Sequence, residues 1–188
     1  MIVAAVLFAL LAQEPVLKLP SEVPESAPQG PSNLDFETGE PGQAPHQWSV
    51  MQIARIAGYS TELRKQGCRS GSGCAVIVAG PKVEKNSSGA VMQYFPAEAY
   101  EAKRMRLRAW VRLEGGRKGD RIKVAFTTDG EEANATFTQK GRGVDSTEWT
   151  MAEVEGKVPW HAEVIHILVT VSGKGTAWID DVTFEPVK

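Results

Sequence analysis

Apolar and polar residues alternate with period two through most of this chain, the signature of half-buried β-strands. Arg106 to Leu113 is the clearest stretch. Leu107, Ala109, Val111 and Leu113 share one face, and Arg106, Arg108, Trp110 and Arg112 the other. Ile122, Val124 and Phe126 alternate with Lys123, Ala125 and Thr127. Ile165, Ile167, Val169 and Val171 alternate with Val164, His166, Leu168 and Thr170. Ala75 to Ala79 and Ala90 to Phe95 read as further strands. Turn signals punctuate them: Gly71-Ser-Gly73, Asn86-Ser-Ser-Gly89, Glu114-Gly-Gly116, Asp129-Gly130, Gly141-Arg-Gly143 and Ser172-Gly-Lys-Gly175. No long stretch carries a helical period. The pattern predicts an all-β fold, an antiparallel sandwich.

The beginning of the chain is different. Residues 1–12 hold an uncharged apolar run, Ile2 to Ala12, of signal-peptide length and too short to span a bilayer as a helix. Only Met1 precedes it, so a basic leader is missing. Residues 13–32 contain five prolines and read as an extended linker. The expected organisation is a signal peptide over 1–12, a linker over 13–32 and one domain over 33–188, secreted or periplasmic, with no membrane span in the mature chain. An exported chain with two cysteines favours a disulfide, Cys68 to Cys74, across a short Gly-rich loop.

Charge is balanced but unevenly placed. The domain carries 20 basic and 20 acidic residues, which gives no global attraction to nucleic acid. Nine basic residues fall between Lys103 and Lys123, and eight acidic ones between Asp145 and Lys188. The Arg ladder of 106–112 suits bidentate recognition of an acidic polysaccharide; the alternative is a solvated face answered by the acidic C-terminal third.

Two segments carry carboxylates among apolar residues: Asn33-Leu-Asp-Phe-Glu37 and Trp178-Ile-Asp-Asp-Val182. Buried carboxylates need a partner. The segments therefore read as neighbouring strands whose acids share a cation or backbone donors.

Around these segments the strings resemble galactose-binding-like jelly-roll modules, the bacterial carbohydrate-binding accessory type. The resemblance rests on Asn33 to Trp48 (N-L-D-F-E-x-G-x-P-G-x-x-P-x-x-W), Gly89 to Tyr100, Lys103 to Val111 and Ala177 to Phe184, in the expected order. It implies a jelly-roll β-sandwich, carbohydrate binding and a structural calcium ion. By position, the implied calcium ligands are Glu37 and Asp181, with Asp35 and Asp180 beside them.

Trp110 is the leading candidate for a sugar platform, because an aromatic ring offers a flat apolar face to a pyranose. Arg108 and Arg112 flank it. Tyr94 joins it in one register and Gln93 in the other; His166 is a candidate neighbour on a late strand. Trp110 packed under a loop or beside the Arg stems is the alternative. Trp48, Trp149, Trp160 and Trp178 read as core or edge packing. Catalysis has no matching constellation. A thiol dyad of Cys68 or Cys74 with His161 or His166 is less simple than a disulfide. Asp180 and Asp181, adjacent on a strand, would point to opposite faces, unlike a glycosidase pair. The expectation is a non-catalytic glycan binder; the rival is an interaction module for an envelope protein, which an exposed apolar face at Val164 and Leu168 would favour.

Overall fold

The computed structural model describes residues 27–84 and 86–187. The apolar run and the linker up to residue 26 lie outside the described residues. Ten strands form two five-stranded antiparallel sheets. The back sheet has the order β2 (Tyr59–Arg64), β3 (Cys74–Ala79), β10 (Thr176–Pro186), β5 (Arg104–Glu114), β8 (Thr150–Lys157). The front sheet has the order β1 (Ser49–Val50), β4 (Ser88–Pro96), β9 (Val164–Ser172), β6 (Arg121–Asp129), β7 (Ala135–Thr138). Consecutive strands cross between the sheets repeatedly, the jelly-roll arrangement that the alternation and the turn signals predict. Among the described residues, helix is confined to α1 (Gln52–Ile56) and a 3-10 turn at Glu98–Tyr100.

The core lies between the sheets and follows the alternation. Met105, Leu107, Ala109, Val111 and Leu113 of β5 are buried, as are Ile122, Val124 and Phe126 of β6. Phe95, Phe126 and Phe184 bring their rings together, 5.7 Å between the first and last and 5.4 Å between the last two. Such edge-to-face contacts add to area burial. Among the described residues, no helix is long and apolar enough to cross a membrane.

Two expectations about the chain ends are corrected. Residues 33–37 are not a strand. They form a turn in which Asn33 and Phe36 take positive φ, and Phe36 is fully buried. The adjacency survives in another form, since the Val182 N–H donates to the Leu34 carbonyl at 2.8 Å. Asp180 and Asp181 do not point to opposite faces. A bulge between Asp180 and Thr183, with Asp181 at φ 45, breaks the alternation and turns both carboxylates toward the 68–73 loop.

Candidate functional site

The outer face of the back sheet is filled by the chain itself. Cys68 and Cys74 are joined, with Cα atoms 5.3 Å apart, so neither is available as a nucleophile. The loop they close lies on β10. Asp180 is fully buried and accepts from the N–H groups of Arg69 (2.8 Å), Ser70 (3.1 Å) and Asp181 (2.8 Å). Burial pushes its carboxyl above the ordinary range, against the pull of those three bonds. Asp181 takes the Arg69 guanidinium and, at 2.8 Å, the Ser70 hydroxyl. Glu37 accepts from the Ser72 hydroxyl (2.5 Å) and N–H (2.8 Å) and from the Gly73 N–H (3.0 Å). The Ser72 bonds hold its carboxyl below the ordinary range.

These donors bear on how well the residues fit a calcium ion. Calcium takes six to eight oxygen ligands. Here the carboxylates of Glu37, Asp180 and Asp181 face N–H and O–H donors and a guanidinium cation. Asp35 is exposed, and its carboxylate accepts from the Glu37 N–H at 3.4 Å. Among the described residues no three His, Cys, Asp or Glu side chains gather as a metal set. The residues do not fit the ion that the resemblance implies; the loop supplies the positive partners instead.

Further along this face, Trp110 lies under the Arg69 guanidinium, 4.0 Å from its ring centre. Trp178 is held between Arg64 (4.9 Å) and Arg112 (4.2 Å), and its indole N–H donates to Glu114 at 2.9 Å. Arg112 also approaches the Trp149 ring. The Arg ladder meets acids of neighbouring strands: Arg104 and Arg106 pair with Glu155, and Arg108 with Glu153 and Glu185. Register dictates this, because Arg106 faces Glu155 and Arg108 faces Glu153 across β5 and β8. The arginines of β5 and the acids of β8 and β10 thus neutralise each other.

The six candidate binding residues therefore do not form one site. Trp110, Arg108 and Arg112 stand on the back sheet. Gln93 points into the sandwich: it is fully buried, donates to the Ser32 and Gln47 carbonyls and accepts from the Ser32 N–H. Tyr94 and His166 stand on the outer register of the front sheet, opposite in the molecule to Trp110.

On that front face one cross-strand row runs over four strands: Tyr94 on β4, His166 on β9, Thr127 on β6 and Thr136 on β7. The Tyr94 and His166 rings are 6.0 Å apart. His166 is buried, and its Nε2 lies 3.1 Å from Asp129 Oδ2. The Thr127 hydroxyl is buried and has no hydrogen-bond partner among the described residues. Tyr94, Thr127 and Asp129 are half-buried, and Thr136 is exposed. Val164 and Leu168, on the same register, are 1% and 6% exposed, so they offer no apolar docking surface. Sequence reasoning found Tyr94 and His166 but missed Thr127, Asp129 and Thr136. Their signal was the alternation of β6 and β7, which places them beside His166 once the strand order is known. Trp160 is also corrected: it is 65% exposed, not packed.

No family model matches this chain. Half of it, 98 residues, is 28% identical to the uncharacterized HTH-type transcriptional regulator YbfP of Bacillus subtilis, spanning a third (33%) of that protein. Among solved structures the chain is similar to the CBM22-1 xylan-binding domain of Paenibacillus barcinonensis Xyn10C, with TM-score 0.59 and 10% identity over 82% of this chain and 92% of that one. It is similar to TmCBM61 bound to β-1,4-galactotriose, with TM-score 0.52 and 18% identity over 86% and 100% of the two chains. It also matches the CBM22-1–GH10 modules of Clostridium thermocellum xylanase 10B complexed with xylohexaose, with TM-score 0.57 and 14% identity over 76% of this chain and 26% of that one. The chain spans about a quarter of that two-module structure. At these identities the likeness establishes the fold alone, a two-sheet β-sandwich.

Proposed function

We propose that this protein is an exported, non-catalytic module that binds a polysaccharide on the outer face of its front sheet. The observation that carries the reading is the row Tyr94–His166–Thr127–Thr136, in which a half-buried aromatic ring shares one outward cross-strand row with the exposed Thr136. A ring supplies an apolar face for a sugar, and an exposed hydroxyl exchanges hydrogen bonds with sugar hydroxyls. Asp129 adds a carboxylate acceptor beside the row. The back sheet is the weaker candidate, because its loop, Arg–Trp stacks and ion pairs engage one another. The sandwich fold shared with a xylan-binding domain and with modules complexed with xylohexaose and β-1,4-galactotriose supports the same reading.

The test is affinity electrophoresis and calorimetry of the full chain with xylohexaose, β-1,4-galactotriose and their parent polysaccharides. Wild type is expected to be retained by at least one of them, and Tyr94→Ala to lose that retention while still melting cooperatively as a folded domain. Retention untouched by Tyr94→Ala would overturn the assignment of the face.

A further inference from the structure

Positive charge without an ionic partner collects at one end of the front face. Every arginine from Arg104 to Arg112 with an outward side chain has a carboxylate beside it. Arg121, Lys123, Lys140 and Arg142 have none among the described residues, and neither do Arg117 and Lys118 in the preceding turn.

These residues are neighbours in space. The Arg121 guanidinium donates to the Arg142 carbonyl at 2.8 Å. Ile122 bridges Val144, which folds the 139–143 turn back along β6. Gly143 lies so close that a Cβ there would sit 2.9 Å from Lys123 Cγ and 3.4 Å from Arg121 Cγ. The nearby carboxylates are Asp120 and Asp145. Asp120 is 7% exposed and spends one oxygen on the N–H groups of Arg117 and Lys174. Asp145 is exposed.

Arg121 and Lys123 share the outward register of β6 with Thr127 and Asp129. Thr127 is four residues from Lys123, about 13 Å along an antiparallel strand, so one extended ligand can reach both. The opposite end of the molecule carries Glu101, Glu131, Glu132 and Glu163 around one depression. The face is thus basic at one end and borders an acidic end at the other.

We infer that the glycan taken by this face is acidic, with its carboxylates lying over Arg121, Lys123, Lys140 and Arg142. This rests on the sugar-binding reading of the Tyr94 row and deepens it. Like charges crowded at one end are relieved by an anionic ligand, and guanidinium and ammonium groups hold carboxylates by charge-assisted bonds. A nucleic acid would use the same charge, but single-strand binding also needs aromatic platforms within the basic groove. The segments 117–123 and 139–143 contain no aromatic residue.

The experiment compares the full chain with Lys140→Glu/Arg142→Glu, two exposed turn positions, and separately with Lys123→Gln. The probes are polygalacturonate, neutral xylan and a single-stranded DNA oligonucleotide, each at low and high salt. Wild type is expected to bind polygalacturonate at least tenfold more tightly than neutral xylan, with affinity falling as salt rises. The double variant is expected to lose at least tenfold on polygalacturonate and nothing on xylan, and Lys123→Gln a smaller part, with melting temperatures unchanged. Equal binding of acidic and neutral glycans, or of DNA and polygalacturonate, would overturn this inference and leave the Tyr94 reading standing. Polygalacturonate binding that is lost in the charge variants but untouched by Tyr94→Ala would support the basic end and overturn the Tyr94 row. No binding to any glycan would overturn both.

Discussion

The Arg69 guanidinium lies 4.0 Å over the Trp110 ring while it also pairs with Asp181. One side chain therefore covers the aromatic face a sugar would need and neutralises an acid of the β10 bulge. Arg69 sits within the loop closed by Cys68 and Cys74. The back sheet, the bulge and the disulfide form one structural unit.

Opening the disulfide should loosen that unit. Closing so short a loop contributes about 2 kcal/mol in the chain-entropy account. Cys68→Ser/Cys74→Ser is expected to lower stability by roughly that amount in urea unfolding, and to bring Arg69 and Trp110 into faster hydrogen exchange and quenching. An unchanged unfolding midpoint would count against it.

Asp180 is the buried member of the unit. Asp180→Ala would leave the N–H groups of Arg69 and Ser70 without their acceptor, at about 1–3 kcal/mol for each group that stays buried. Chemical denaturation is expected to show a loss of about 3 kcal/mol, larger than for Asp181→Ala on the exposed side. Similar losses for the two would contradict the assignment.

Gly73 tests the seat of the loop. A Cβ there would stand 2.2 Å from the Phe36 carbonyl oxygen, a backbone atom that cannot step aside cheaply. Gly73→Ala is expected to cost at least as much stability as breaking the disulfide. Gly141→Ala, with open space around it but φ 78, should cost far less.

Acid should act through Glu37. Its folded value is depressed below the ordinary 4.5, first by the Ser72 hydroxyl and then by the Ser72 N–H. A depressed carboxyl adds stability above its unfolded value and loses it as pH falls through the folded one. The stability gap between wild type and Glu37→Gln is therefore expected to shrink below about pH 4.5. Asp180 has the opposite sign, since burial raises its value, so its contribution weakens as pH rises from the acid side. A gap that stays constant with pH would contradict the role of Glu37. Because N–H, O–H and guanidinium donors face the carboxylates of the unit, chelator is expected to leave the melting temperature unchanged; a lowered one would overturn the donor argument.

How much of this was legible beforehand varies by residue. The core face of β5 and β6 followed from alternation alone, and the disulfide from the cysteine count and the Gly-rich spacer. The turn at 33–37 was not legible, because Phe36 enters the core through a positive φ that no period reveals. The bulge at Asp181 hid for the same reason, as one extra residue reverses which way a side chain points. The candidate site was half legible. Alternation tells inside from outside within a strand, but not which sheet a strand joins. Trp110 and Tyr94 were both correctly outward and were wrongly grouped, since β5 and β4 lie in different sheets. The Arg ladder needed the register of β8 before its partners could be seen.

The measurement that bears most directly on the account is the paired retention of Tyr94→Ala and Trp110→Ala on one glycan that wild type binds, with melting curves for both. Tyr94→Ala is expected to lose retention while still melting cooperatively as a folded domain, with some loss of stability from its packing against the core. Trp110→Ala is expected to keep retention but lose stability, because Arg69 is left without its stacking partner. Loss of retention in Trp110→Ala alone would contradict the account and move the binding face to the back sheet.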